Sequence, residues 1–225
     1  KGVCAEESSF TVVPAGELKV KNIADLYLYN NRLMAVKVTG AELEQWLECS
    51  ASQFFQITDT ADRQELVDFT GFPTYNFDVI DGVSYQIDLS QPSKFGPKGT
   101  VANSEASRIV NLEFEGQPLD PNAEFIIATN NYRASGGGAF PGAKGDTIVF
   151  EGPDTNRDVI VRYIVEKGTI SPRADGNWRF APMEGTSVVF ETGPKAADYV
   201  DEVTGVAMEQ VGDTENGFAQ FRITL

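Results

Sequence analysis

Histidine is absent from the 225 residues of this chain, and this absence excludes several kinds of catalytic site. Histidine is the most frequent general base, so the chain by itself cannot form a Ser-His-Asp or Cys-His nucleophilic site. It cannot supply imidazole ligands to a metal, and its two cysteines show no metal-ligand spacing. No phosphate-binding P-loop, dinucleotide fingerprint or calcium-binding loop occurs. Only a site built from carboxylates remains open, and nothing except the abundance of acids points to one.

Basic side chains are also scarce, with 18 Lys and Arg against 33 Asp and Glu and a formal net charge of −15. Such a surface repels phosphate backbones and anionic lipid, so the chain is not expected to bind nucleic acid. Long apolar runs are missing as well: no stretch of about 18 apolar residues occurs, and no membrane span is predicted. The chain begins at Lys1 without a signal peptide before it, which indicates a fragment or a processed product.

The two cysteines, Cys4 and Cys49, leave two possibilities open. They could form a disulfide in an oxidising compartment, or Cys49 could pack as a buried thiol, because cysteine often behaves as a small hydrophobic side chain. Two cysteines are too few to indicate the compartment.

The residues that are present predict a globular domain, since 41% are hydrophobic and 23% are charged. The clearest helix covers residues 41–54 (AELEQWLECSASQF). Thr39 is its expected N-cap, and Glu42, three residues later, completes a capping box. The apolar positions of this helix recur at helical spacing and are predicted to enter the core: Leu43, Trp46, Leu47 and Phe54.

Other elements are predicted from stop signals, turns and alternation. Residues 158–167 (DVIVRYIVEK) have helical spacing, and Gly168 ends the predicted helix. Residues 77–80 and 83–89 flank Asp81-Gly82, a dipeptide that favours the tight turn of a β-hairpin. Further strands are predicted at 33–38, 108–115, 125–129, 178–182, 187–191 and 218–225. Because helices and strands alternate without a regular βαβ rhythm, the pattern predicts an α+β fold with a mixed β-sheet packed with a few helices.

Five segments together resemble one family. They are IADLYLYNNRL, VKVTGAELEQWLECSASQF, TYNFDVIDGVSYQIDLSQP, RIVNLEFEGQPLDP and FIIATNNYRASGGGAFPG. The chain is similar to the C-terminal domain of the 5′-nucleotidase superfamily, in the branch of the periplasmic 2′,3′-cyclic-nucleotide 2′-phosphodiesterase/3′-nucleotidases. The resemblance extends from about Ile23 to Pro182. Residues 1–182 are therefore expected to form the nucleotide-binding domain, and residues 183–225 a β-rich extension packed on it.

The resemblance implies that catalysis and recognition belong to different domains. In this family an N-terminal metallophosphoesterase domain holds two divalent metal ions and cleaves the phosphate ester, while the C-terminal domain binds the nucleoside. The histidine-free chain matches the second domain only, so the metal pair is expected in the N-terminal domain of the same polypeptide and no cofactor in this chain. The expected ligands are nucleosides and nucleotides, above all 3′-nucleotides and 2′,3′-cyclic nucleotides. The expected location is periplasmic, secreted or at the cell surface.

The family's C-terminal domain holds the base between two aromatic rings. By motif, Tyr132 in NNYRASGG matches one ring, and Tyr29 in YLYNN is the first choice for the other. Tyr75 or Phe77 in TYNFDV is the alternative second ring. Stacking on aromatic rings is worth roughly 1–3 kcal/mol per base and tolerates any base. Each ring could instead be a packing residue, because aromatic side chains in apolar segments are commonly half-buried.

The loop around Tyr132 supplies further candidates. Three polar side chains could bond to the base or ribose edges: Asn130, Asn131 and Arg133. Arg133 could equally pair with one of the many acids. Gly136 and Gly137 would keep the loop open and let the backbone approach the ligand.

One departure concerns the end of this glycine loop. The 5′-nucleotidase branch usually continues it with GGDG, whereas this chain has Gly137-Gly138-Ala139-Phe140, without the acid. The difference suits the 3′-nucleotidase branch better. The leading hypothesis is the substrate-binding domain of a hydrolase that hydrolyses nothing without its catalytic domain. The alternative is a structural or adhesive module that kept the fold but lost the pocket.

Overall fold

The computed structural model describes residues 6–58 and 64–225. These residues form two compact units, each assembled from stretches that are distant in sequence. The first unit contains the described part of 1–10 together with Leu47–Leu119 and Gly176–Leu225, and the second contains Thr11–Trp46 and Asp120–Asp175. Residues 183–225 share the first unit with Leu47–Leu119, and the division expected at residue 182 stays a prediction.

Helices and strands occur in both units. The helices are α1 Val20–Leu26, α2 Gly40–Ser50, α3 Asn131–Ala134 and α4 Asn156–Lys167. The strands are β1 Arg32–Thr39, β2 Gln64–Glu65, β3 Val83–Ile87, β4 Ile109–Phe114, β5 Gln117–Pro118, β6 Glu124–Asn130, β7 Ile148–Thr155, β8 Trp178–Phe180, β9 Ser187–Thr192, β10 Met208–Asp213 and β11 Ala219–Thr224. Within 6–58 and 64–225, no helix has the length and apolar character needed to cross a membrane.

The second unit is built on the antiparallel sheet β6-β1-β7. Side chains alternate along β1, so Met34, Val36 and Val38 are buried on one face. Leu33 lies opposite Asn130, and Arg32 lies opposite Thr155. The start of β1 and the ends of β6 and β7 therefore meet at one end of this sheet.

The helix signals of the sequence are confirmed in the structure. Thr39 donates its backbone N–H to Glu42 Oε2 at 2.9 Å, and the Glu42 N–H returns to Thr39 Oγ1 at 3.2 Å, which is the predicted capping box of α2. A similar box between Thr155 and Asp158 starts α4 two residues earlier than predicted, and Gly168 ends it. The four predicted core residues of the α2 region are all buried: Leu43, Trp46, Leu47 and Phe54. Cys49 is also fully buried, whereas Cys4, and with it the possible disulfide, lies outside the described residues.

The first unit contains two four-stranded sheets, β10-β11-β9-β2 and β5-β4-β3-β8. In each of them one strand pair is parallel, β2 with β9 and β3 with β8, and the remaining pairs are antiparallel. The predicted α+β class with mixed sheets is therefore confirmed. The sheet of β9 and β11 has its own apolar cluster around Phe221, whose ring stacks on Phe190 at 5.9 Å.

The predicted hairpin around Asp81-Gly82 is wrong. The turn itself exists, with a φ of +92° at Gly82, but residues 77–80 form no strand. The edge of β3 that such a strand would occupy is paired in parallel with β8 instead. The Asn177 side chain fixes this arrangement by donating to the carbonyl oxygens of Ile80 and Val83 at 2.9 and 3.1 Å.

The first unit also buries an acid at the end of α2. Oε1 of the fully buried Glu48 accepts three hydrogen bonds, from Ser107 Oγ at 3.0 Å and from the N–H groups of Arg108 and Ile109 at 2.8 Å each. Its other oxygen, Oε2, is buried without a hydrogen bond. Burial raises the pKa of Glu48, although the three hydrogen bonds act against this rise. Burial likewise lowers the pKa of the neighbouring Arg108 to about 10, against the opposing charges of Glu48 and Asp88.

This burial makes Glu48 a pH-dependent cost. Because the pKa is raised in the folded state, folded Glu48 keeps its proton at pH values where the unfolded chain has released it. Its contribution to stability is complete below the unfolded pKa of roughly 4.3 and is lost as the pH rises through the folded pKa. Glu48→Gln keeps an acceptor for the three donors but removes the titration. The free energy of unfolding of this variant relative to wild type should therefore increase as the pH rises.

Urea denaturation of both proteins from about pH 4 to about pH 8 measures this difference directly. Subtracting one curve from the other cancels the titration of the remaining carboxylates. A difference that stays constant over the whole range would contradict the prediction.

Candidate functional site

Two exposed tyrosines lie at one end of the sheet of the second unit. Tyr29 precedes the first residue of β1 by three positions, and Tyr132 lies in α3, directly after β6. Their exposed fractions are 68% and 43%. Large aromatic side chains that stay this exposed on neighbouring segments often mark a binding surface. The structure thus places Tyr132 and Tyr29, the first-choice second ring of the sequence analysis, at the same end of this sheet.

The hydroxyl of Tyr27 joins the segments that carry these rings. Three asparagine side chains place their Nδ2 atoms on it, Asn31 at 3.1 Å, Asn130 at 3.2 Å and Asn156 at 3.1 Å. Asn31 precedes β1, Asn130 ends β6, and Asn156 begins α4 after β7. One phenolic oxygen therefore ties the chain at all three strands of the sheet.

The same hydroxyl also has a proton to donate. Asn156 Oδ1 is buried and has no hydrogen-bond partner. The two ends of an amide side chain have nearly the same shape, so half a turn of the Asn156 amide would bring Oδ1 to Tyr27 Oη. Tyr27 would then donate to Asn156 while it accepts from Asn31 and Asn130. After this flip, Asn156 Nδ2 takes the buried position that Oδ1 held.

Backbone contacts fix the same segments more closely. The Arg157 guanidinium, at the start of α4, donates to the carbonyl oxygens of Tyr27 and Leu28 at 3.0 and 3.2 Å. Asn131 Oδ1 accepts the backbone N–H of Arg32 at 2.7 Å. The residues just before Tyr29 and just before Tyr132 are therefore held to the same end of the sheet.

Asn130 and Arg133 shape the loop that carries Tyr132. Asn130 Oδ1 caps α3 by accepting the N–H of Arg133 at 2.9 Å. The Arg133 side chain is only 3% exposed; its guanidinium carbon lies 3.9 Å from the centre of the Phe140 ring, and Nη1 donates to the carbonyl oxygen of Gly137. Phe140 in turn packs on Trp46 at 5.8 Å. The buried Arg133 thus supports the loop through Phe140 and Gly137, and its bond to a base or ribose stays a prediction.

Gly137 backs one face of the Tyr132 ring. A Cβ atom placed on Gly137 would lie 2.7 Å from both Cε1 and Cε2 of Tyr132 and 2.5 Å from its carbonyl oxygen. Equal distances to the two Cε atoms place this position over the ring face, where only glycine fits. Gly136 has a φ of +92°, which favours glycine for a different reason. The loop covers one face of Tyr132 and leaves the ring partly open to solvent.

The alternative ring candidates lie in the first unit. Tyr75 is exposed in a short 3₁₀ segment, Thr74–Asn76. Phe77 is half-buried and makes edge contacts with Phe54 at 5.2 Å and Trp178 at 5.5 Å. The Phe77 ring is therefore engaged in packing.

The arrangement around Tyr29 and Tyr132 suits a planar, uncharged ring with polar edges. Two amide groups there make no hydrogen bond within the described residues, Asn31 Oδ1 as an acceptor and Asn131 Nδ2 as a donor. In 6–58 and 64–225, no cluster of three or more Asp, Glu or Cys side chains could hold a metal ion.

Sequence reasoning missed the residues that hold this site together: Tyr27, Asn31, Asn156 and Arg157. Tyr27 and Asn31 stand within the quoted motif around Tyr29, but only the structure shows what they contact. Asn156 and Arg157 lie more than 120 residues after Tyr27 in the sequence, and no local pattern connects them to it.

Comparison with known proteins gives one family. The family model described as "5′-nucleotidase, C-terminal domain" matches residues 3–145. A 2′,3′-cyclic-nucleotide 2′-phosphodiesterase/3′-nucleotidase of Haemophilus influenzae is 47% identical over 98% of this chain, which spans 35% of that protein. A trifunctional nucleotide phosphoesterase of Bacillus subtilis is 45% identical over 95% of this chain, which spans 15% of it. The chain thus covers about a third or less of these relatives' lengths.

The solved structures agree on the fold. A putative 5′-nucleotidase from Staphylococcus aureus superposes with a TM-score of 0.58 at 21% identity, over 71% of this chain and 29% of that one. A 5′-nucleotidase precursor from Thermus thermophilus gives a TM-score of 0.56 at 22% identity, over 76% and 29%. At these identities the likeness establishes the fold alone.

The hydroxyl of Tyr27 is expected to stabilise the second unit. Tyr27→Phe keeps the ring but leaves three amide groups without their shared partner, and a buried polar group that loses its hydrogen bond costs about 1–3 kcal/mol. Tyr163→Phe is the matched control, because this exposed tyrosine of α4 lies in the same unit and its hydroxyl makes no hydrogen bond within the described residues. Thermal and urea unfolding should show a loss for the first variant only. Equal stability of the two variants would contradict this role of Tyr27.

Proposed function

Since this chain belongs to the family of 5′-nucleotidase C-terminal domains, we propose that its second unit binds the nucleoside part of a nucleotide, with Tyr29 and Tyr132 stacking on the base. The observation that carries the proposal is the pair of exposed tyrosines held at one end of one sheet by the Tyr27 hydroxyl. Tyr132 has a glycine behind one face, so the ring is supported while the side turned to solvent can stack. Base–aromatic stacking needs such supported, partly open rings.

The proposed substrates are 3′-nucleotides and 2′,3′-cyclic nucleotides. The names of the Haemophilus and Bacillus relatives support this class. The chain spans only part of those relatives, so the hydrolytic step is assigned to a metallophosphoesterase domain elsewhere in the polypeptide. An exported, periplasmic or cell-surface location is part of the same proposal.

The role of this chain is to bind and orient the nucleoside. Stacking accepts every base because every base has an aromatic face. The amide groups of Asn31 and Asn131 are placed to hydrogen-bond the edge of the base or the ribose. Asn31 offers an acceptor and Asn131 a donor, so together they present both polarities to the edge of the base or the ribose. The arrangement fits an enzyme that accepts nucleotides with any of the bases.

The direct test removes the Tyr132 ring from the protein in its full natural length. Tyr132→Ala should raise the KM for 3′-AMP and lower kcat/KM by about 5- to 150-fold, which corresponds to roughly 1–3 kcal/mol of stacking. Tyr132→Phe is the matched control; it keeps the ring and should stay within about threefold of wild type. Steady-state hydrolysis of 3′-AMP and 2′,3′-cyclic AMP provides both constants.

A base-free phosphate ester such as glycerol phosphate separates base recognition from damage to the enzyme. Its hydrolysis should be unaffected by Tyr132→Ala, since no base is present to stack. If the variant lost activity on this ester to the same degree, or kept full activity on 3′-AMP, the proposed role of Tyr132 would be wrong. Tyr29→Ala is expected to follow the same pattern.

The glycine behind Tyr132 gives a second, independent prediction. Gly137→Ala places a methyl group into the space of the ring face, so Tyr132 must move and nucleoside affinity should fall by about tenfold or more. Gly145→Ala is the control, because a Cβ there meets no atom within 4 Å and the backbone has no positive φ. Isothermal titration with adenosine compares the two. Equal affinities would show that the loop does not position the ring.

A further inference from the structure

The turn that leads into β3 contains the dipeptide Asp81-Gly82, which the proposed nucleoside site does not use. Both residues are exposed. Gly82 has a φ of +92°, and a Cβ atom placed on it would meet no atom within 4 Å. Because glycine has no side chain of its own, nothing crowds its backbone nitrogen in this turn.

The carboxyl group of Asp81 lies beside this nitrogen. The Gly82 N–H donates to Asp81 Oδ1 at 2.9 Å and makes no other hydrogen bond within the part of the chain that the structure describes. The nitrogen is therefore not held by a backbone acceptor, and the group that it meets is the side chain of the preceding residue. A nucleophile that is held next to an electrophile of the same chain reacts without the entropy cost of bringing the two together.

A second dipeptide of the same kind shows what the fold changes. Asn216-Gly217 occupies the turn between β10 and β11, and an asparagine amide before glycine would undergo the same ring closure. Here, however, the Gly217 N–H donates to the carbonyl oxygen of Thr214 at 3.0 Å. The nitrogen of Gly217 is engaged with the backbone, whereas that of Gly82 is free to react. The structure therefore selects Asp81 between two candidates that the sequence alone does not separate.

We propose that Asp81 is a site of spontaneous isoaspartate formation in the folded protein. The Gly82 nitrogen forms a bond with Cγ of the protonated Asp81 carboxyl group, and its proton and the carboxyl hydroxyl leave together as one water molecule. The product is a five-membered succinimide ring. One water molecule then adds to the main-chain carbonyl carbon of Asp81, and its bond to the Gly82 nitrogen breaks. The main chain now passes through Cβ and Cγ of residue 81, and no oxidant, reductant or other reactant is consumed.

The modification lengthens a segment that the structure holds at both ends. The side chain of Asn177 donates to the carbonyl oxygens of Ile80 and Val83, at 2.9 and 3.1 Å, and its own carbonyl oxygen accepts the N–H of Tyr85 at 3.0 Å. One additional main-chain carbon between Ile80 and Val83 shifts one carbonyl group relative to the other, so Asn177 loses at least one of these bonds. The pairing of β3 with β8 should loosen as a result. All these residues lie in the first unit, so the proposal does not depend on the nucleoside site.

Chemical ageing of the protein in its full natural length provides the test. After prolonged incubation in neutral buffer, a protein isoaspartyl methyltransferase labels isoaspartate with a methyl group from S-adenosylmethionine, and peptide mapping locates the label. The folded protein should carry the label at Asp81, and label at Asn216 should be lower in the folded than in the urea-unfolded protein.

Two glutamate variants provide the matched comparison. Asp81→Glu should lose the label at this position, because the longer side chain would have to close a six-membered ring. Asp175→Glu is the control, since Asp175-Gly176 is also an exposed Asp-Gly dipeptide, and this variant should keep the label at Asp81. The proposal is overturned if Asp81 carries no label in the folded protein, if the label appears only after unfolding, or if it persists in Asp81→Glu.

Hydrogen exchange measures the structural consequence. Peptides that cover β3 and β8 should lose protection in aged wild-type protein and keep it in equally aged Asp81→Glu protein, because hydrogen-bonded amides exchange faster where the local structure opens. Wild-type protein that carries the label at Asp81 and keeps full protection in both strands would show that the assigned effect on β3 and β8 is wrong.

Discussion

A single phenolic oxygen, that of Tyr27, is the contact on which the geometry of the second unit most depends. Asparagine amides from the start of β1, the end of β6 and the start of α4 all meet on it. Strand register alone would bring these chain ends near one another, but it would not fix the irregular segments beyond them. The shared hydroxyl, together with Arg157 on the preceding carbonyl groups, gives those segments one conformation. Two tyrosines can then stay exposed without collapsing onto the protein.

The two units use aromatic side chains in opposite ways. In the second unit, Tyr29 and Tyr132 stand apart from the core, each on a backbone that polar contacts hold. In the first unit, Phe54, Phe77, Trp178 and Phe180 hold one another, and their packing shapes a pocket beside them. A ligand can stack only on rings that stand apart from other side chains. Rings that pack edge to face on one another instead form a continuous apolar surface. In both arrangements the side chains are already ordered, so less conformational entropy of the protein would be lost when a ligand binds.

Sequence patterns predicted the features that depend on residues close together in the chain. The capping box of Thr39 and Glu42 and the stop at Gly168 need only three or four residues, and the structure has both. The hairpin at Asp81-Gly82 failed because β8, more than 90 residues away, occupies the edge of β3, and a local turn signal contains no information on that competition. The Tyr27 group escaped notice for the same reason, since its partners lie up to 129 residues away. Tyr29 and Tyr132 were named through family resemblance. For Arg133 the sequence left open a bond to the ligand or a pairing with an acid, because its burial on Phe140 cannot be read from its loop.

The order in which the chain is made has a consequence for the second unit. Thr11–Trp46 leaves the ribosome first, and its partner stretch, Asp120–Asp175, follows only after the whole of Leu47–Leu119. Until β6 and β7 emerge, the edges of β1 are unpaired, and Tyr27 lacks Asn130 and Asn156 as hydrogen-bond partners. During this interval a strand rich in buried apolar residues is open at both edges, a state in which strands pair with the wrong partners. Vectorial synthesis therefore leaves both edges of β1 unpaired for as long as Leu47–Leu119 is being made.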